Sequence, residues 1–383
     1  MKVKQIIAHN SKVEKTLSQK KSKKSSAKRF SLSKFFLSLL TLTGCGDNNM
    51  NKFDWLASES APQNYPMQII SGDFVYKEGG GLYVPNGKKI SSGWGKSISV
   101  HVVGADLKPL PTQLKITFFS YTENVFYQGS FELPYERILS LFQQSYYSTR
   151  ARKQTRYHVI VAGVSPGGGV AVWLQGLDKT TQIFYGKAEI VDVDWTRINR
   201  NPKILREDYI SGVLNRRSTP KILSSIKNNG VPLYLWDSYQ TRYHWKPNLV
   251  TVNRPPKNIY EILYVNGEQE QLFYPLAPEI AQKTRAAPYY FYYSWNTPEG
   301  AAITHHFYLD TVEIISAFEK LEAIKKATAE SPILLTVKVT EHPEGRKITL
   351  AVQHEDTAIT INKIKFKTYT ALHADNPDSY YQD

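Results

Sequence analysis

Alternating apolar and polar positions dominate the chain after about residue 55. Lys115-Ile116-Thr117-Phe118-Phe119-Ser120-Tyr121 is β-branched and aromatic, as is Tyr157-His158-Val159-Ile160-Val161. After a Pro/Gly turn come Gly169-Val170-Ala171-Val172-Trp173-Leu174, then Gln182 to Tyr185 and Ala188 to Trp195. Runs of this kind at hairpin spacing predict strands. Between the first two, Pro134 followed by Ile138, Leu141, Phe142 and Ser145 predicts a helix with proline at its first position. Residues 196 to about 247 have a different texture, rich in Pro, Arg and Asn. There Thr219-Pro220 opens a segment with Leu223 and Ile226 on one face and Gly230 as its stop, which reads as a short helical connector.

The later half repeats the order of the first. Tyr289 to Trp295 is an aromatic strand and Thr304 to Leu309 the next. Asp310-Thr311-Val312-Glu313 is a capping-box pattern leading into Ile314, Ala317, Phe318 and Leu321 at helical spacing. Leu334 to Val339 and Lys347 to Val352 then pair around Glu341-His342-Pro343-Glu344-Gly345, and Thr360 to Thr368 closes the series. Phe118-Phe119-Ser120-Tyr121 lines up with Tyr292-Tyr293-Ser294-Trp295, Phe131-Glu132-Leu133 with Phe307-Tyr308-Leu309, and Ile138 to Phe142 with Ile314 to Phe318. The expected fold class is α+β. Two tandem antiparallel-sheet-plus-helix units, residues 55–195 and 251–383, are joined by a helical connector, residues 196–250.

Charge changes the picture less than its total suggests. The 383 residues carry a formal +14, but eleven of the 48 Lys/Arg and only Glu14 of the 34 acids lie in residues 1–34, so that segment alone holds +10. The rest of the chain is close to balanced, which removes the argument for a nucleic-acid partner. With 41% hydrophobic residues, neither a wholly disordered chain nor a polytopic membrane protein is expected.

The basic stretch leads into Phe35-Phe36-Leu37-Ser38-Leu39-Leu40-Thr41-Leu42-Thr43-Gly44-Cys45, an apolar run too short to span a bilayer as a helix. A basic n-region, a short apolar core and small residues at a cut site make a secretory signal. Leu42-Thr43-Gly44-Cys45 resembles the bacterial lipobox, which implies acylation of the Cys45 thiol and cleavage just before it. Residues 1–44 then read as signal peptide, and residues 45–54, beginning Gly46-Asp47-Asn48-Asn49 after the cysteine, as a flexible tether. The n-region is long: either translation starts downstream of Met1 or the extra basic residues are tolerated. Gly46 does not match the aspartate of inner-membrane retention in lipoprotein sorting, so the resemblance implies an outer-membrane anchor facing the periplasm. Cys45 is the single cysteine, so no intrachain disulfide can form.

Catalytic signals are weak. Gly163-Val164-Ser165-Pro166-Gly167 fits the nucleophile-elbow spacing, but the residue after Ser165 is a proline. It has no N–H for an oxyanion, and a strand follows instead of a helix. A hairpin turn is the better reading. His305 and His306 are adjacent on a strand and point to opposite faces, so they cannot share a metal. Asp192 and Asp194 read as the solvated side of a strand whose Val191 and Val193 face inward. Glu78-Gly79-Gly80-Gly81 lacks the Lys-Ser/Thr of a phosphate loop, and Arg150, Arg152, Lys153 and Arg156 read as a solvated basic loop. No catalytic residue, cofactor or metal is expected. In the connector, Trp236, Tyr239, Tyr243 and Trp245 with Arg242 suit a protein-binding surface.

Several stretches together carry a family resemblance: Tyr65-Pro66, Gly93-Trp94-Gly95, Lys108-Pro109-Leu110-Pro111, Phe119 to Tyr127, Phe131-Glu132-Leu133-Pro134, Pro166-Gly167-Gly168, Val172 to Gly176, and Arg242-Tyr243. Over roughly residues 55–370 the chain resembles the bacterial lipoproteins classed as domain of unknown function twenty-nine thirty-one. The resemblance brings no catalytic residues. Members are often encoded near type VI secretion genes, which implies an immunity or accessory role in the periplasm. The expected function is a non-enzymatic lipoprotein that carries palmitate, is anchored in the outer membrane and binds another protein, such as a secreted toxin. An envelope structural or assembly lipoprotein is the alternative, and a serine hydrolase acting through Ser165 a distant third.

Overall fold

The structure, a computed structural model, describes residues 51–251, 258–273, 275–296, 302–325, 331–342 and 345–371. The signal segment and Cys45 lie outside the described residues. Of the expected tether, Lys52–Asp54 pairs antiparallel with Leu107–Pro109, and Phe53 packs on Phe142 with ring centroids 5.4 Å apart. The folded chain thus begins earlier than the sequence suggests, because Phe53 and the fully buried Trp55 have a core to enter.

Nine principal strands and one helix make the first half. They are β1 (Leu56–Ser60), β2 (Met67–Tyr76), β3 (Gly81–Tyr83), β4 (Pro111–Ser120), β5 (Val125–Glu132), α1 (Tyr135–Gln143), β6 (Val159–Ser165), β7 (Gly169–Gln175), β8 (Thr180–Lys187) and β9 (Glu189–Val191). The connector supplies α2 (Arg206–Arg217), α3 (Pro220–Asn229) and a helical turn over Leu235–Ser238. The second half holds β10 (Tyr243–Thr251), β11 (Asn258–Tyr264), β12 (Gln269–Phe273), β13 (Pro288–Asn296) and β14 (Ala302–Leu309). It continues with α4 (Thr311–Ile324), β15 (Ile333–His342), β16 (Gly345–His354), β17 (Thr357–Thr360) and β18 (Ile364–Ala371).

The sheet order of the first half recurs in the second. In the first, β1-β6-β7-β8 form one layer and β9-β5-β4-β2-β3 the other. In the second, the layers are β10-β15-β16-β17 and β18-β14-β13-β11-β12. Even the one parallel pairing recurs, β1 beside β6 and β10 beside β15. A pairing at Thr180 and Gln269 joins β8 to β12, so β1-β6-β7-β8 and β12-β11-β13-β14-β18 are one nine-stranded sheet. The architecture is α+β, as the strand and helix patterns predict.

The details correct the sequence reading in three places. Tyr243–Thr251 is a strand of the second half, not the end of the connector. Tyr243, Trp245 and Leu249 lie on one side of β10 and pack in the core, an alternation hidden by Pro247 and the polar residues between them. The register between halves also shifts. Ile138 and Phe142 match Ile314 and Phe318 as helix residues buried in equivalent places. In the strands, however, Phe131 pairs with Leu114, and its counterpart Phe307 with Phe291, so Leu114 matches Phe291. The expected match of Phe118 with Tyr292 instead equates an inward side chain with an outward one, the error that an odd-residue slip produces. Lastly, Asp310 does cap α4, accepting from the Glu313 N–H at 3.0 Å, but Glu313 does not close a box. Its carboxylate accepts from the N–H groups of Asn362 and Lys363, tying the helix to the start of β18.

The hairpin β6–β7 lies between the cores. Ile160, Ala162, Val164, Val170, Val172 and Leu174 enter the first-half core, while Val159, Val161, Ala171 and Trp173 enter the core shared with the second half. Burial on both faces is why this hairpin reads as a nearly unbroken apolar run. Its turn is Pro166-Gly167-Gly168, with both glycines at positive φ, and Ser165 is fully buried at the end of β6. Among the described residues no helix is long and apolar enough to cross a membrane.

Candidate protein-binding face

The connector aromatics expected to form a surface are interior. Trp236, Tyr239, Tyr243 and Trp245 are all buried in one cluster. Trp236 meets Tyr65 edge-on at 5.1 Å, Tyr243 stacks on Phe318 at 5.0 Å, and the Trp245 indole N–H donates to the Ala286 carbonyl at 3.1 Å. Arg242 is engaged too, donating to Glu268 at 2.7 Å. Their local sequence looks like a loop, but Phe318 of α4, β15 and Tyr65 reach the aromatics from far along the chain.

The stretches behind the family resemblance sit at joints. Trp94 meets Trp173 edge-on at 4.9 Å, and the Trp173 N–H donates to the Asn266 carbonyl at 3.0 Å. Gly95 and Gly267, both at positive φ, touch backbone to backbone, and a Cβ on Gly95 would lie 2.6 Å from the Cα of Gly267. Glu123 accepts from the Gly167 N–H at 3.1 Å and from the Tyr127 hydroxyl at 2.7 Å. Asn124 accepts from Arg206 at 2.7 Å. These groups hold the turns, the connector and the second half in place.

Two clusters of buried charge accompany the joints. Glu268 gathers Arg242, Asn266 and the backbone N–H of Gln182. Glu270 accepts from Arg285 at 2.5 Å and Lys283 at 3.0 Å. Burial pushes the Glu270 carboxyl up, but the two cations outweigh it and hold its pKa at about 2. Each carboxylate is paired, so neither is a free acid or base.

Glu59, on β1, has no such cation. It is 2% exposed, and its Oε1 accepts from the Ser99 hydroxyl while Oε2 has no hydrogen-bond partner. Burial pushes its pKa above the ordinary carboxylate value, against the opposing pull of Ser99, its own backbone N–H, Lys88 and His101. The folded state therefore holds this proton more tightly than the unfolded chain. Stability is gained as pH falls through the folded pKa toward the unfolded value near 4.5, the reverse of a salt-bridged carboxylate. Glu59→Gln should remove that acid-side gain and raise stability at pH 7 by about 1 kcal/mol. Urea midpoints at pH 5 and pH 7 measure both; a less stable variant at pH 7 would refute the reading.

A partly exposed aromatic surface lies elsewhere, on the outer side of β13, β14 and β18, with Ser294 and Thr304 buried at one end of it. Cross-strand pairing sets Tyr290, Tyr308 and Lys365 in one row, Tyr292, His306 and Lys367 in the next, and Ser294, Thr304 and Tyr369 in the third. Tyr290 and Tyr308 rings are 5.0 Å apart, Tyr292 and His306 stack at 4.9 Å, and Tyr369 meets His306 edge-on at 4.9 Å. The Tyr290 hydroxyl and His306 Nδ1 are 2.8 Å apart, and partial burial together with Lys367 pushes the imidazole pKa down. Tyr308 is 43% exposed, and both lysines are exposed. His305 and His306 do face opposite sides of β14, His305 turning inward to Thr368.

In the first half the rows that answer to Tyr290/Tyr308 and Tyr292/His306 are Gln113/Glu132 and Lys115/Ser130, and the helix of the connector covers a different row. On the outer side of β4 and β5, Phe119 and Phe126 are buried under Ile210 and Val213 of α2. The Arg206 guanidinium of that helix lies 4.8 Å from the Trp195 ring centre and 5.6 Å from that of Phe119. The aromatic richness of Tyr289 to Trp295 was visible in sequence. Which of its rings face out depends on the strand register, and the presence of α2 over one face alone depends on tertiary structure.

No curated protein and no solved structure matches the chain. The model of the family described as "Protein of unknown function (DUF2931)" matches residues 43–233, which span the first half and most of the connector, and through them the chain belongs to that family.

Proposed function

We propose that the protein is a non-enzymatic lipoprotein, held at the periplasmic side of the outer membrane by acylated Cys45, that binds another protein. An immunity or accessory factor for type VI secretion is the specific form of this reading. One observation carries the binding role: the rows of Tyr290, Tyr292, His306, Tyr308 and Tyr369 gathered on one sheet face beside two exposed lysines. Tyrosine-rich exposed faces of this kind supply the anchors of protein interfaces. The Leu42-Thr43-Gly44-Cys45 pattern supports the anchor. Ser165, buried in a hairpin, lends nothing to hydrolase chemistry.

The same reading takes residues 55–195 and the second half as tandem copies of one α+β unit. Its support is the recurrence of nine strands, one helix and one parallel pairing in the same order. Outward positions of β15 and β16, such as Thr336, Lys338, Lys347 and Thr349, are polar where their first-half counterparts on β6 and β7 are apolar, so the second copy ends the series.

Metabolic labelling with an alkyne palmitate analogue tests the anchor. The parent chain should take up label and fractionate with membranes, and Cys45→Ala should lose both. An unlabelled parent chain would overturn the lipoprotein reading. Deletion of the gene should remove protection against a toxin encoded beside it, and full survival of the deletion strain would overturn the immunity role.

A further inference from the structure

Resting on the lipoprotein reading of Cys45, we infer that the loop of residues 100–107 is a second membrane contact. It sets Val100, Val102 and Leu107 against the same lipid surface that holds the acylated cysteine. All three side chains are exposed, Val102 by 84%. Ile98 and Val103 beside them pack onto the first-half core, so one side of the segment is committed inward and the other is presented outward. The loop is held at both ends. At its entry the Ile98 N–H donates to the Glu59 carbonyl at 3.2 Å, the Ser97 and Ser58 hydroxyls are 2.7 Å apart, and the Ser99 hydroxyl donates to Glu59. At its exit Leu107–Pro109 pairs with Lys52–Asp54, and Lys108 Nζ donates to the Asp106 carbonyl at 3.3 Å. Little ordering of the backbone is left to be done when the valines meet a surface.

The chain itself says what the loop meets. Lys52–Asp54, the strand paired with the loop's exit, is the first described element after Cys45, and Leu107 lies opposite Asp54. From Cys45 to Lys52 the chain reaches about 25 Å at full extension. An acylated Cys45 therefore brings a lipid surface within one tether length of the ribbon that carries the valines. A lipid on one residue limits distance and leaves orientation free; contact by the loop fixes the orientation. Tyr83, whose ring centroid is 5.6 Å from that of His101, adds an exposed aromatic with a polar tip, the kind of side chain that sits at headgroup level. Exposed Lys88 and Lys96 are offset by exposed Asp54 and Asp106, so apolar area rather than lipid charge carries the contact, and it should persist at high salt.

Fluorescence of the mature chain, isolated from the membranes of its native host and reconstituted into vesicles of phosphatidylethanolamine and phosphatidylglycerol, tests this. Acylation occupies the Cys45 sulfur, so Val102→Cys supplies the one reactive thiol for a polarity-sensitive dye. Tyr234→Cys, equally exposed but on the connector, is the control. The expected result at 102 is blue-shifted emission and about twofold or greater quenching by lipids brominated on their acyl chains, at low and high salt alike, with neither at 234. With the dye at Leu107→Cys, the pair Val100→Ser and Val102→Ser should lower the quenching about twofold or more and leave the melting temperature unchanged. A vesicle-bound chain whose dye at 102 stays in water overturns the loop contact and leaves the lipid anchor standing. So does equal quenching at 102 and 234, quenching abolished by salt, or quenching indifferent to the paired serines. Shielding at 102 that requires added envelope protein also overturns the contact, in favour of a protein occupant. A chain whose Cys45 itself takes the dye, and that stays off the vesicles, overturns the lipoprotein reading and the loop contact together.

Discussion

Replacing Trp173 with alanine should cost about 3–5 kcal/mol of unfolding free energy, a large part of the roughly 5–15 kcal/mol that a folded protein commands. The side chain is 0% exposed. It projects from β7 into the core shared with the second half, where Trp94 meets it edge-on and its N–H satisfies the Asn266 carbonyl. Gly163 leaves room for the ring, since a Cβ there would lie 2.3 Å from it. Removing the indole opens a cavity between rigid sheets and leaves the Asn266 carbonyl without its donor, so collapse can recover little. Trp173→Phe, which keeps the ring but not the N–H, should cost about 1–3 kcal/mol. Urea unfolding followed by far-ultraviolet circular dichroism reads both values. The same experiment tests the coupling of the halves. The parent chain should unfold in one transition because β8–β12 pairing and Trp173 join them, whereas Trp173→Ala should broaden or split it. A loss below 1 kcal/mol with a single sharp transition would show that the joint holds without the indole.

How much of this was legible in sequence depended on whether the cause was local. The β6–β7 hairpin, the Pro220–Asn229 helix with its Thr219 cap and Gly230 stop, and the Asp310 cap follow from residues within a few positions of one another, and the sequence pattern found them. The helix match between halves was also local, since Ile138 with Phe142 and Ile314 with Phe318 keep the same spacing to the helix start. Strand register was not. Phe118 and Phe119 are both buried, one in the sandwich core and the other under α2, so the alternation that marks a face is lost there. The connector failed for the same reason. Tyr243 and Trp245 are interior because Phe318 of α4 and the paired strand β15, about 70 to 100 residues away, pack beside them, and Trp236 packs on Tyr65, which lies still further off in sequence. The site residues followed suit: the expected aromatic surface is core, and the partly exposed one lies on strands whose composition was plain but whose outward face needed the fold.

The second large effect is expected at Arg285. It is 1% exposed, and four of its five N–H donors are used: Nε donates to Glu270, and the other nitrogens donate to the carbonyls of Trp245, Lys283 and Ile280. Arg285→Met keeps the bulk and removes the charge. Glu270 then remains in the interior with Lys283 as its remaining ion-pair partner, and three backbone carbonyls lose a donor. Breaking such a pair from one side costs about 3–5 kcal/mol. The pH dependence separates this from lost packing. In the parent chain, Glu270 has a folded pKa of about 2, below its ordinary 4.5, so it contributes stability above pH 4.5 that is lost as pH falls toward 2. In Arg285→Met, burial raises the carboxyl with less to oppose it, so the variant should lose most at pH 7 and recover part of the difference near pH 4. Adding Glu270→Gln removes the stranded charge, and the double variant should regain about 1–3 kcal/mol at pH 7 over Arg285→Met alone. Denaturant midpoints of the three chains at pH 4 and pH 7 decide the matter. Equal losses at both pH values, with no rescue by the second substitution, would mean that Arg285 acts through its carbonyl contacts and not through the carboxylate it neutralises.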